Sequence, residues 1–175
     1  MFGRYAPLLA GVLIVSGCVS DGIGTDYAAI SQKFRPPKPG HSRVVVLQEK
    51  RKGLSMAFCA CDLKLDGEPI GKISFGTYTF ADRPAGRHQL VASEVMFPGD
   101  TAFNFATEPG RTYFFLLRSS ERHDSVTGVS MVGGLVGGFV ASAATANAAN
   151  PGPADFVALD ETIARTTLAD LQLAQ

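Results

Sequence analysis

Turn chemistry recurs about every ten residues between positions 40 and 118, a spacing that leaves no room for a long helix. Asp66-Gly67, Gly76, Pro84-Ala85-Gly86, Pro98-Gly99-Asp100 and Pro109-Gly110 punctuate this region. Gly takes positive φ without steric cost, and Pro presets φ for the first corner of a turn. The segments between them read as strands. Arg43 to Lys50 opens with the β-branched run Val44-Val45-Val46, and Met56 to Asp66 contains the period-two alternation Asp62-Leu63-Lys64-Leu65-Asp66. Glu68 to Phe75 returns from the Asp66-Gly67 turn, and Gly76 to Phe80 follows. In Arg87 to Glu94, period two places His88, Leu90 and Ala92 on one face; in Thr101 to Thr107 it does the same for Phe103 and Phe105. Arg111 to Arg118 carries Tyr113, Phe115 and Leu117 on one face and Phe114 and Leu116 on the other, so it is expected to be buried on both sides.

Short strands at this spacing predict a small antiparallel β-sandwich of immunoglobulin-like type over 41–118. That length fills one core and is too short for a barrel around a ligand cavity. Nineteen Gly, ten Pro and twelve Phe with no Trp agree with a turn-rich β protein. Hydrophobic residues make up 46% of the chain and charged residues 18%, which excludes a disordered tail. Sixteen basic residues balance sixteen acidic ones, which excludes a strongly basic nucleic-acid binder.

The amino terminus reads as an export signal. Arg4 precedes the apolar stretch Ala6 to Val15, which is shorter than the roughly 20 residues a spanning helix needs. It ends in Val15-Ser16-Gly17-Cys18. Small residues let a peptidase grip an extended backbone, and the Cys offers a thiol to lipid. The box resembles the bacterial lipoprotein signal, and the resemblance implies that residues 1–17 are removed and that Cys18 carries a diacylglyceryl group and an acylated (palmitate-type) amine. Several acyl chains hold a protein on a membrane almost permanently. Val19 stands where an Asp commonly retains such proteins at the inner membrane. The expectation is therefore the periplasmic face of the outer membrane. Residues 18–40, with Gly22, Gly24 and Pro36-Pro37-Lys38-Pro39-Gly40, read as a tether.

The series Leu65-Asp66-Gly67-Glu68-Pro69-Ile70-Gly71, Gly76-Thr77-Tyr78, Pro84-Ala85-Gly86-Arg87-His88 and Glu108-Pro109-Gly110-Arg111-Thr112-Tyr113-Phe114 keeps one order along the chain. It resembles a large family of bacterial envelope lipoproteins known only as a domain of unknown function. It is also similar to the PEGA domain, a small surface β-sandwich. The resemblance covers about 42–118 and extends to the tail. It implies a fold and carries no activity with it.

Residues 119–153 form a loop and a Gly/Ala-rich helical segment, without a charge between Asp124 and Asp155. On a helical wheel, Gly133, Gly134, Gly137, Gly138, Ala141, Ser142 and Thr145 form a small-residue stripe opposite Met131, Val132, Leu135, Val136, Phe139 and Val140. As one helix, residues 129–149 would extend about 31 Å. Each Gly costs a soluble helix roughly 0.8–1 kcal/mol relative to Ala, so something must compensate. Three outcomes compete: packing on the sandwich or folding as a hairpin-like flap, entering a membrane or forming a homo-oligomer, and remaining a flexible linker. In 154–175, Asp155 to Leu159 predicts a last strand and Asp160 caps a C-terminal helix. Ile163, Thr167, Leu168, Leu171 and Ala174 would form its apolar face.

Catalytic chemistry is thin. Cys59 and Cys61 share one face of a strand, where a bridge, metal or redox chemistry, and plain buried thiols compete. His41, His88 and His123 lack partners at ligand spacing. His123-Asp124-Ser125 has triad residue types, but adjacent side chains cannot line up as nucleophile, base and orienter. A Gly-x-Ser-x-Gly elbow and a phosphate loop are missing. The expectation is a non-enzymatic, cofactor-free binding or scaffolding protein, lipid-anchored through Cys18, whose partner is an envelope protein or cell-wall component. The alternatives are a membrane-inserting or oligomerising lipoprotein driven by the glycine stripe, and a redox or metal protein using Cys59 and Cys61.

Overall fold

Val44-Val45-Val46 and Phe114-Phe115-Leu116-Leu117 set bulky side chains alternately on both faces of extended chain, which only central strands with cover on each side can bury. The computed structural model, which describes residues 36–51, 60–95 and 97–174, places both runs at the centre of one sheet. Strand β1 (His41–Leu47) lies between β7 (Thr112–Ser119) and β4 (Thr77–Pro84), and β8 (Ala154–Leu159) and β9 (Gln172–Leu173) complete the order β8-β7-β1-β4-β9. The second sheet is β3 (Glu68–Ser74), β2 (Ala60–Leu65), β5 (Arg87–Ser93) and β6 (Thr101–Ala106), in the order β3-β2-β5-β6.

Among the described residues the protein is mainly β, a small sandwich with two helical elements, α1 (Glu121–Ala144) and α2 (Glu161–Leu168). The first sheet is mixed where an antiparallel one was expected. Strand β1 runs parallel to β7 and β4 runs parallel to β9, the other pairs being antiparallel. Parallel neighbours need a long crossover, and here all four strands of the second sheet, together with β4, lie in the chain between β1 and β7.

Two apolar clusters follow from this arrangement. Val44, Val46, Phe115 and Leu117 face the second sheet and pack with Cys61, Leu63, Leu65, Ile73, Leu90 and Ala92. Val45, Leu47, Tyr78, Phe114 and Leu116 face the other way and pack with Ala164, Leu168 and Leu171. Helix α2 is thus a third layer. Asp160 caps it by accepting from the Thr162 backbone N–H at 2.8 Å. Its buried face differs from the expected one: Ala164 and Leu168 point inward and Ile163 faces solvent. The helix ends at Leu168, so the tail regains extended geometry and pairs with β4.

At one end of the sandwich a polar chain crosses between the sheets. Asp66 and Gly67 both adopt positive φ, 56° and 83°, the geometry of a two-residue primed hairpin turn. This turn aims the Asp66 carboxylate at its neighbour strand. Oδ1 accepts from the Gln89 backbone N–H at 2.9 Å, and Oδ2 lies 2.7 Å from His88 Nδ1. With the carboxylate ionised, Nδ1 carries the proton it donates. His88 Nε2 lies 3.0 Å from the Thr107 hydroxyl, which also accepts from Ser42 Oγ at 2.8 Å. His88, Thr107 and Ser42 are buried, so each polar group needs the partner it has.

Partial burial on its own would raise the Asp66 carboxyl. The Gln89 backbone N–H, the hydrogen bond and charge of His88, and Arg83 outweigh it and hold the group below the usual carboxylate range. A carboxyl depressed by folding adds stability above its unfolded pKa of about 3.9 and loses it as pH falls through the folded value. The melting-temperature gap between wild type and Asp66→Asn should therefore be widest at neutral pH and close below about pH 4. Thermal unfolding across that range checks it; a constant gap would mean the charge is not what Asp66 contributes.

Candidate functional site

Ser120 starts α1 as an N-cap with extended backbone, its Oγ accepting from the His123 N–H at 3.0 Å. The same hydroxyl donates to the Gly152 carbonyl at 2.7 Å, tying the helix start to the segment that returns to β8. Glu121 and Asp124 lie in the first turn, where negative charge suits the helix dipole.

The element is not one rod. Gly134 has φ 61° and ψ −155°, a region essentially reserved for Gly, and the chain reverses there. Two arms result, 121–133 and 135–144. Arg122 therefore meets residues a straight helix would place about 30 Å away. Its Nε lies 3.1 Å from Thr145 Oγ1 and 3.2 Å from the Thr145 carbonyl, and Nη2 lies 3.2 Å from Ser142 Oγ. Nη1 donates to the Pro98 carbonyl at 2.6 Å and to the Pro151 carbonyl. The guanidinium stacks over Phe97, 4.9 Å from its centroid. The second arm has no basic residue in its last turn. Arg122 from the first arm supplies the positive charge that the C-terminal carbonyls favour.

His123 completes the clamp. Its Nε2 lies 2.9 Å from the Glu94 carboxylate, its Nδ1 3.1 Å from Ser119 Oγ, and its ring 5.0 Å from Phe97. Sequence reading set His123 beside Asp124 and Ser125. The structure turns Ser125 Oγ back to the Glu121 carbonyl at 2.9 Å and brings in Ser119 and Glu94 instead. The i, i+4 spacing of Ser119 and His123 was the only local signal; Glu94 had none. Ser119 Oγ donates to Asp124, so its proton is directed away from His123. Both ring nitrogens of His123 are engaged, and the cluster pins the hairpin base to the sandwich.

The glycine stripe divides along its length. Gly137 and Gly138 face the first arm, where a Cβ on Gly137 would stand 3.0 Å from the Val129 carbonyl and one on Gly138 would run into Ser130. Gly133 and Gly134 open onto space and serve the reversal, not packing. Ala141 offers its carbonyl to the Thr145 hydroxyl at 2.8 Å. With small residues on the inside, the large ones face out. Val129, Met131, Val132, Leu135, Val136, Phe139 and Val140 are exposed, Val132 to 94% and Phe139 to 75%. By length and composition α1 could cross a membrane, but the reversal brings both its ends to one side.

A second surface lies where the sandwich opens. Strand β6 pairs only with β5 among the described residues and so ends its sheet. Beside it, Phe103, Phe105, Tyr113 and Phe115 line a cleft of about 660 Å³ that also reaches Arg111 and Glu161. Phe105 and Phe115 meet edge to face at 4.8 Å, and Phe103 and Phe115 at 5.5 Å.

Of the two cysteines singled out in the strand, Cys59 lies outside the described residues, as does Cys18. Cys61 is a free thiol in the core. Burial first, then Glu94 and Asp62, push its thiol far above the ordinary value and keep it protonated. Among the described residues no cluster of three or more His, Cys, Asp or Glu could hold a metal.

These strands and the first arm of the hairpin are what relates the chain to other proteins. A family model described as "Protein of unknown function (DUF2846)" matches residues 38–134. The chain belongs to that family. The match takes in β1 to β7 and ends at the Gly134 reversal. No match is found among the curated proteins.

Two outcomes are expected here. Gly138→Leu should overpack the arms and weaken the hairpin by about 1–3 kcal/mol, read as faster amide exchange over 121–145 with the sandwich amides unchanged. In a chain carrying Cys18→Ala and Cys59→Ala, Cys61 should resist a maleimide at pH about 8 and react only in denaturant, because a protonated, buried thiol is not the nucleophile. Rapid native labelling would place the thiol outside the core.

Proposed function

We propose that the protein is a lipid-anchored module of the bacterial envelope that binds or scaffolds and does no catalysis. The Val15-Ser16-Gly17-Cys18 box supports attachment through lipid on Cys18, with the periplasmic face of the outer membrane as its place. The observation that carries the binding reading is the aromatic cleft beside the edge strand β6. An edge strand offers unpaired backbone groups to an extended segment, and pockets for alternate side chains supply selectivity. Phe103 and Phe105, half-buried on one face of β6, form the wall of such pockets. The partner is then an envelope protein or cell-wall-associated polypeptide that presents extended chain with apolar side chains at every second position.

Two measurements test this. Cys18→Ala should abolish fatty-acid labelling; persistent labelling sinks the anchor. A photo-crosslinking side chain at Asn104, exposed on β6, should capture one discrete envelope partner in cells, and Phe105→Ala should reduce the adduct severalfold. Diffuse or absent adducts at Asn104, with strong capture from another face, would move the binding site elsewhere.

A further inference from the structure

We infer that the hairpin tip, residues 129–140, inserts into one leaflet of a lipid bilayer and gives the protein a second membrane contact. This rests on the anchored reading above, which brings the module to a membrane surface.

The apolar shell is the first argument. A helix that docks in a protein groove keeps one polar face for water. Here Val132, Leu135, Val136, Phe139 and Val140, carried on both arms, all face outward and are well exposed. The small residues that would otherwise lighten this surface are turned inward at Gly137 and Gly138. A second copy of the chain would cover one side of such a tip and leave the rest in water, whereas lipid covers all of it.

Charge placement agrees. Glu121, Arg122, His123 and Asp124 cluster at the hairpin base, and the next charged residue is Asp155, beyond the second arm. Ser130, the one polar side chain between 129 and 140, is satisfied within its own arm, its Oγ donating to the Val126 carbonyl at 2.7 Å. Apolar surroundings demand this, because hydrocarbon offers no replacement partner.

Depth decides between spanning and dipping. From Val129 to the Gly134 reversal the helix rises about 8 Å, and the return to Val140 is similar. Interfacial helices bury roughly 5–10 Å into the headgroup and acyl boundary, while the hydrocarbon core is about 30 Å thick. The tip fits one leaflet and cannot cross two.

The chain has no Trp, so an introduced one reports only its own surroundings. The full chain is reconstituted with phosphatidylethanolamine–phosphatidylglycerol vesicles, with and without brominated acyl chains. The Leu135→Trp reporter should show blue-shifted emission and about twofold quenching by bromine, as expected of an aromatic ring in the acyl boundary. Glu68→Trp, exposed beside the Asp66-Gly67 turn at the end of the sandwich away from the hairpin, should show neither. Adding Val132→Asp to the Leu135→Trp chain should abolish the quenching without moving the thermal transition, since a charge at that depth is expelled and Val132 is already open to solvent. Water-like emission from Leu135→Trp in vesicles overturns the proposal. So does a blue shift that appears without lipid and grows with protein concentration, which would mean a second copy covers the tip, and so does quenching that ignores Val132→Asp. Fatty-acid labelling of wild type and Cys18→Ala is run alongside: labelling without quenching removes the hairpin contact alone, and quenching without labelling removes the anchor alone.

Discussion

Every layer of this protein answers to the two-sided burial of β1 and β7. Val44 and Val46 need cover on one face, and Val45 and Leu47 on the other. A two-sheet sandwich alone would cover only the first set. The carboxy-terminal segment supplies the rest: α2 lays Ala164 and Leu168 over the outer face, and Leu171 follows. Each large apolar side chain so buried contributes roughly 1.5–3 kcal/mol relative to exposure. The tail is thus part of the fold's core, and β8 and β9 fix it at both edges of the first sheet.

Polar groups then organise the two ends of the sandwich differently. At the end bearing the Asp66-Gly67 turn, Asp66, His88, Thr107 and Ser42 link the sheets through one chain of hydrogen bonds. At the other, Arg122 and His123 grip Phe97, Glu94 and four backbone carbonyls from Pro98, Pro151, Ser142 and Thr145. A buried guanidinium is expensive unless its donors are met, and this one is surrounded by acceptors. The consequence is a hairpin held firmly at its root while its tip remains free of the sandwich. The aromatic cleft beside β6 is a separate feature, since it comes from the splay between β6 and the β7–β8 edge and not from the hairpin.

The small residues of α1 have a physical role distinct from those of a long packing helix. Gly134 provides a backbone conformation essentially reserved for Gly, and Gly137 and Gly138 let the arms approach where a Cβ would be tight against the Val129 carbonyl and would collide with Ser130. The helical cost of the glycines is offset inside the hairpin itself, by contact between its own arms.

Much of the strand framework was legible in the chain. Period-two alternation and turn residues are local properties, so Asp66-Gly67, the one-sided face of His88, Leu90 and Ala92, the two-sided burial of Phe114 to Leu117 and the Asp160 cap could all be read from near neighbours. The C-terminal apolar face was legible only in part: Leu168 and Leu171 are buried, but Ile163 is not, because α2 is short and its orientation is set by the sheet beneath it. Strand partners were not legible. Nothing local states that β1 lies parallel to β7, a pairing chosen by which order lets both faces of both strands find cover. Nor did the stripe 133–142 reveal whether its small face would meet a sheet, a second helix or lipid, since the same spacing serves all three. Only the tertiary structure turned it back at Gly134, and only there do Arg122 and Ser142, or His123 and Glu94, become neighbours. Those contacts join residues twenty or more positions apart, and their formation depends on the sandwich that brings loop 94–98 and segment 150–153 to one place.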